Sequence, residues 1–240
     1  MDLKHLGWKM GWLKAWPWVW RYQLLSGLLG GDRAMSLCSE GVSRLPGMLG
    51  IYTRQAFYRA VCGADDRGEG GVVGIDVHFG FMSVVSKTAA AFGDRAYIGR
   101  FCTVGLVDMG HDAKLADGVQ VLSGAHQHGE APRYERVVIG PRAWIGAGAV
   151  VMADVGADAV VAAGAVVRTP VAAGQRVAGV PARVISRGGG WGQRLGDRAK
   201  ATSSVVFDEA LMSQRRRAAQ KASPSAGFGD GGEDDWKSAA

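Results

Sequence analysis

The chain has 240 residues, 48% of them apolar, which is enough for one or two domains with a buried core, and its 37 glycines point to regular tight turns or to low complexity. The net charge of +6 is concentrated toward the two ends, with no basic stripe interleaved with stacking aromatics, and this argues against nucleic-acid binding. Cys38, Cys62 and Cys102 are odd in number and lack metal-ligand spacing, so a reduced, cytoplasmic compartment and no bound metal are expected, and no run approaches the roughly 18 apolar residues of a spanning helix.

Residues 1–30 place Trp8, Trp12, Trp16, Trp18 and Trp20 among Lys4, Lys9, Lys14 and Arg21, with Asp2 the single acid. Trp and Lys interrupt any apolar stretch that could serve as a cleavable signal. Trp8, Trp12 and Trp16 are spaced by four and predict one shared helical face until Pro17 disturbs it. Two uses fit the composition. The segment can lie on the inner membrane face, tryptophans at the lipid boundary and cations at anionic head groups. It can equally cover the end of the domain that follows, or pack between subunits. Residues 20–61 read as helices broken near Gly30–Gly31 and Gly47, so 1–69 is expected to form an N-terminal helical extension.

From residue 70 the pattern changes to a six-residue period. Its apolar markers are Val73, Phe79, Val85, Phe92, Ile98, Val104, Met109, Leu115, Val121, Ile139, Ile145, Val151, Val161 and Val167. Most steps are six; the exceptions are seven at Phe92, five at Met109, eighteen at Ile139 and ten at Val161. Four residues after a marker stands Val, Ala, Ser or Cys in thirteen of fourteen cases, Asp108 being the exception, and glycine follows the marker in eight. Neither a helix nor an alternating strand repeats every six residues. A short strand ending in a turn does. Three such units close a triangular coil of about eighteen residues whose markers fill a narrow interior, and glycine beside the marker is expected to supply positive φ at the corner.

This run resembles the hexapeptide-repeat acyltransferases. Residues 137–185, "VVIGPRAWIGAGAVVMADVGADAVVAAGAVVRTPVAAGQRVAGVPARVI", are similar to the end of the sugar O-acetyltransferase branch, which includes the galactoside and maltose acetyltransferases. The resemblance covers about residues 70–187 and implies a mostly β fold, a left-handed parallel β-helix, in an acyltransferase domain that forms homotrimers. It further implies transfer of an acetyl group from acetyl-CoA to a hydroxyl of a sugar or glycan acceptor, as in polysaccharide biosynthesis.

Site residues follow from the resemblance by position. Residues 127–138, "QHGEAPRYERVV", do not fit the repeat and are expected to leave the coil as a loop. His126 stands at the corner where that loop begins and matches the family's catalytic base, an imidazole that titrates near neutrality. His128, two residues on, can face the same cleft; Asp108 and Glu130 are candidates to orient the base. Trp144 in "RAWIG" matches a tryptophan that lines the active site between subunits, and the backbone N–H of Ala147 matches the donor to the developing oxyanion. Ala163, Arg168 and Thr169 fall on coenzyme A contact positions, and Arg183 and Arg187 are placed to reach its phosphates. One position departs from the branch: "YIGRFCTVGL" carries Arg100 and Phe101 where an asparagine helps position the acceptor.

Two other readings stay open, a non-catalytic β-helix scaffold and a γ-type carbonic anhydrase. The latter needs zinc-binding histidines about five residues apart, whereas His126 and His128 are two apart. Beyond Arg187, residues 188–240 read as a tail with one short helix at 204–221, capped by Ser204, and a disordered end.

Overall fold

The computed structural model describes residues 3–62, 72–125 and 133–185. The expected tail helix at 204–221 and its disordered end lie outside the described residues.

Each marker from Phe79 to Val167 ends a short strand and is buried, at 3% exposure or less. The strands form three faces. The first holds His78–Phe79, Tyr97–Ile98, Lys114–Leu115, Trp144–Ile145, Val160–Val161 and Arg176–Ala178, with Arg183–Val184 added antiparallel. The second holds Val84–Val85, Thr103–Val104, Gln120–Val121, Val150–Val151 and Val166–Val167. The third holds Ala91–Phe92, Val107–Met109 and Val137–Ile139, extended by single bridges at Val73, Val155 and Val171. The chain visits the faces in turn, and each strand pairs in parallel with the one a coil earlier, as Lys114 pairs with Tyr97 and Val160 with Trp144. The result is a three-sided parallel β-helix around an apolar column.

The departures from a period of six have one location. Steps from the third face to the first and from the first to the second are uniformly six, as in Phe92 to Ile98 to Val104 or Val155 to Val161 to Val167. All irregularity falls on the edge between the second and third faces. The step of ten before Val161 is a four and a six, because Val155, which the pattern reads as a small turn residue, is itself an inward marker.

The role of the glycines also differs from the sequence expectation. None of the glycines that follow a marker has positive φ. They are small because the next coil passes against them: a Cβ on Gly93 would lie 2.5 Å from the backbone N of His111, and one on Gly110 2.5 Å from that of Pro141. Positive φ falls three residues after the inward marker, at Asp76, Met82, Arg95, Phe101, Asp112, Gly118, Arg142, Gly148, Asp158, Gly164 and Gly174. Those positions all lie on the two regular edges.

Three helices precede the coils: α1 (Leu3–Leu29), α2 (Gly31–Ser43) and α3 (Gly47–Val61). Helices α2 and α3 meet the first coil, while α1 packs on α2 and α3. The first coil has no coil before it to satisfy its backbone, and buried polar side chains do this instead. Arg54, 1% exposed, donates from Nε to Phe79 O at 2.9 Å and from Nη1 to Leu45 O at 2.6 Å and Ser43 O at 3.4 Å. Val85 N donates to Ser39 Oγ at 2.9 Å, and Ser39 shares a 2.6 Å hydrogen bond with the buried Tyr58 hydroxyl. Covering the open end is therefore the work of α2 and α3.

Pro17 lies within α1, which runs through it unbroken. The tryptophans do not share one face. A spacing of four drifts by about 40° per step on a 3.6-residue helix, so Trp8 and Trp12 are half-buried and pack edge to face at 5.9 Å, while Trp16 and Trp20 point outward.

His78 stacks on Tyr97 with ring centroids 4.6 Å apart. Burial, and secondarily the charge of Arg54, lower its pKa from the usual histidine value. Its protonated form is favoured in the unfolded chain, so its contribution to stability is complete above about pH 6.5 and falls as the pH drops below that value. Thermal melts between pH 8 and 5 are expected to show this loss, and the variant His78→Phe, which keeps the stack, is expected to flatten it.

Candidate active site

The excursion predicted at 127–138 is narrower than the sequence suggests at its far end, because Val137–Ile139 is already back in the third face, paired with Val107–Met109. It begins earlier as well: Gly124–Ala125 pairs antiparallel with Arg133–Tyr134, and Glu135 N donates to Ser123 O at 2.7 Å. This two-stranded stem leaves the second–third edge, where the coil length varies. Ser123, 8% exposed, fixes its foot by accepting a hydrogen bond from Leu106 N at 2.8 Å. His126 follows the first strand of the stem directly; His126, His128 and Glu130 themselves lie outside the described residues. Asp108 pairs with Arg136, whose guanidinium also donates to Ala89 O at 2.9 Å. That ion pair ties the third face to the returning strand, so Asp108 has a structural partner.

The first–second edge is built differently. In successive coils it presents Phe81–Met82, Arg100–Phe101, Asp117–Gly118, Ala147–Gly148 and Ala163–Gly164. Backbone hydrogen bonds link these corners at 2.8–3.0 Å, ending with Gly164 N to Ala147 O at 2.9 Å. The edge therefore passes from aromatic and charged side chains to alanine and glycine alone. Ala147 and Ala163 are exposed and stacked one coil apart, and the N–H of each donates to no group among the described residues. Trp144, 42% exposed, stands on the first face three residues before Ala147. Where the sequence showed Arg100 and Phe101, Arg100 is bound by Asp117, whose carboxylate accepts from the Arg100 backbone N at 2.8 Å and Nε at 3.0 Å. Those hydrogen bonds hold the Asp117 carboxyl below its ordinary pKa. Phe101 is 57% exposed at φ 58° and meets Phe81 edge to face at 6.2 Å.

Arg168 and Thr169 are exposed on the second–third edge, two coils beyond the stem. Arg183 is exposed on the antiparallel strand Arg183–Val184 at the end of the first face. Arg187 lies outside the described residues. The described candidates thus fall in two groups: Trp144 on the first face with Ala147 and Ala163 at its edge with the second, and Arg168 and Thr169 with the stem that leads to His126 at the second–third edge. The second–third edge is the one opposite the first face, so the structure does not bring Trp144 and the stem together within one chain.

The third–first edge carries an ion-pair ladder that the sequence reading missed. Arg95 grips Asp112 through two hydrogen bonds of 2.7 and 2.6 Å, and Arg142 grips Asp158 in the same way. The Arg95 guanidinium, helped by His111 at 2.9 Å, holds the Asp112 carboxyl well below the carboxylate range, at about 2. The signal was present in the aligned tetrads "GDRA", "GHDA", "GPRA" and "GADA" at 93, 110, 140 and 156, where Arg and Asp alternate at the third position. The cysteines are free and buried, and burial pushes the Cys62 thiol up to about 12, so none of them is poised as a thiolate at neutral pH.

No protein-family model matches the chain, and no curated protein matches it. Among solved structures, a maltose O-acetyltransferase from Clostridium difficile 630 superposes with a TM-score of 0.52 at 19% identity, over 65% of this chain and 87% of that one. A hexapeptide-repeat-containing acetyltransferase from Vibrio cholerae gives a TM-score of 0.51 at 18% identity over 65% and 91% of the two chains. The acetyl coenzyme A complex of the V. cholerae O1 biovar eltor enzyme gives 0.50 at 18% identity over 67% and 89%. The fold of this chain is that of the hexapeptide-repeat acetyltransferases.

Proposed function

We propose that this chain is an acyltransferase that moves an acetyl group from coenzyme A to a hydroxyl of a sugar or glycan, at sites formed between the copies of a homotrimer of left-handed coils. One observation supports the reading: Trp144, Ala147 and Ala163 stand on the first face and its edge with the second, whereas Arg168, Thr169 and the stem that leads to His126 stand on the second–third edge. A ring of copies related by rotation sets one edge of each against another edge of its neighbour. Trp144, Ala147 and Ala163 of one copy would then meet the His126 stem, Arg168 and Thr169 of the next.

The edge fits the co-substrate. A pantetheine arm is long, thin and studded with amides, and it needs a smooth surface with free backbone donors. The corners at Ala147 and Ala163 offer methyl side chains and N–H groups engaged by no described residue. Arg168, Arg183 and Arg187 supply cations for the phosphates.

In the reaction, His126 removes the proton of the acceptor hydroxyl as its oxygen attacks the thioester carbonyl carbon. The Ala147 N–H donates to the carbonyl oxygen as negative charge gathers there. The C–S bond then breaks, and the imidazolium returns its proton to the departing thiolate. The products are an O-acetylated acceptor and free coenzyme A. Trp144 walls the acceptor's side, and His128 lines the same cleft. The acceptor is expected to belong to cytoplasmic synthesis of cell-surface polysaccharide or glycolipid.

The expected result with purified protein is release of free thiol from acetyl-CoA that depends on an added sugar, followed with a thiol reagent over a panel of oligosaccharides, nucleotide sugars, amino sugars, serine and chloramphenicol. Transfer to serine alone, or to amines alone, would refute the hydroxyl-sugar assignment. Absence of thiol release with every acceptor would refute acyl transfer.

A further inference from the structure

Helix α1 is apolar on two opposite faces. One face, with Gly11, Ala15 and Val19 buried and Trp12, Trp18 and Tyr22 half-buried, packs on α2 and α3. Gly11 permits a close approach, since a Cβ there would lie 2.7 Å from Cβ of Tyr52. The other face carries Leu13, Trp16, Trp20, Leu24 and Leu28, which are 77%, 56%, 62%, 69% and 74% exposed. At 100° per residue these five side chains share one stripe, centred opposite the packed face, and Met10 extends it at 45% exposed.

The charges decide what can cover this stripe. Lys14 and Arg21 lie along one flank and Lys9 within the stripe toward its N-terminal end, all three exposed, and α1 contains no acidic residue anywhere along its 27 residues. A second copy seated face to face on the stripe would bring like charges together across a two-fold axis. An anionic lipid surface answers both features. Tryptophan and leucine enter the boundary between head groups and acyl chains, and the long lysine and arginine side chains beside them extend to the phosphates. No helix among the described residues is long and apolar enough to cross a membrane, so the helix would lie along the surface.

We propose that the outward stripe of α1 binds the surface of an anionic phospholipid bilayer with the helix in the plane of the interface. The proposal does not rest on the catalytic reading.

Vesicle flotation of the full chain tests it, using phosphatidylcholine vesicles with and without about a quarter phosphatidylglycerol. The chain is expected to float with the anionic vesicles, to do so far less with neutral ones, and to be released as salt rises toward 1 M. The exposed-face variant Leu13→Ser/Trp16→Ser/Trp20→Ser is expected to stay at the bottom with an unchanged melting temperature, because none of the three is in the packed face. The charge variant Lys9→Gln/Lys14→Gln/Arg21→Gln, which keeps the apolar stripe, is expected to lower partitioning about a hundredfold. Failure of the full chain to float overturns the proposal, as does equal flotation with neutral vesicles or by the stripe variant. A change in sedimentation of the stripe variant with no vesicle binding by the parent chain would assign the face to a protein contact instead.

Discussion

Replacement of His126 by Ala is expected to lower turnover by about 10²–10⁴-fold while leaving coenzyme A affinity within about twofold. The asymmetry follows from where the base acts. In the proposed reaction it takes a proton only as the acceptor oxygen attacks, so its loss is felt in the transition state and not in the bound ground state. In the proposed site the coenzyme surface lies on other residues, the Ala147 and Ala163 corners and Arg168. The pH profile carries a second signature: the parent enzyme is expected to lose kcat/KM as the pH falls through the imidazole range, and the variant's residual activity is expected to lack that limb. Steady-state kinetics with acetyl-CoA check both. Near-normal turnover of His126→Ala with loss in His128→Ala would move the base to His128.

Arg54→Leu is expected to destabilise the protein by about 2–5 kcal/mol. Arg54 is a cation at 1% exposure that donates to three carbonyls, those of Phe79, Leu45 and Ser43. Burial lowers its pKa, which expresses the cost of keeping the charge out of water. Leucine removes that cost, but it strands the buried carbonyls of Phe79 and Leu45 at about 1–3 kcal/mol each, while Ser43 O keeps its hydrogen bond from Met82 N at 2.9 Å. In a domain of this size the loss corresponds to a fall in melting temperature of roughly 5–15 °C. The cap also joins α2 and α3 to the first coil, so the loss is expected in both helical and β signals together by circular dichroism. A melting temperature within about 1 °C of the parent's would contradict the capping role.

The column of the β-helix was legible because a narrow interior admits one residue type at one spacing. Phe79, Ile98, Leu115, Ile145 and Val161 stand above one another, and each announced itself in the period. Val155 did not, since on the short second–third edge it falls four residues after Val151, the position a small turn residue also occupies. The glycines were found but misexplained. Their sequence position is the same whether the cause is positive φ or the approach of the next coil, and only coordinates separate the two. Arg54 was invisible for a different reason. A lone arginine in an amphipathic helix carries no mark that its partners are carbonyls of a coil 25 residues away. For the site, the resemblance supplied residues but not their distribution. Trp144 and the stem that leads to His126 are about twenty residues apart in sequence, yet they belong to opposite parts of the prism, because strand order assigns them to different sides.

That distribution is tested most directly by mixing two inactive proteins. His126→Ala and Trp144→Ala are each expected to have little activity alone. If each site takes His126 from one copy and Trp144 from its neighbour, subunits exchanged at equal amounts assemble some sites with both residues intact. Random assembly makes that about a quarter of them, so activity is expected to recover to roughly a quarter of the parent's. Activity that stays at the level of the separate variants, after exchange has been verified by mass, would contradict a site shared between copies.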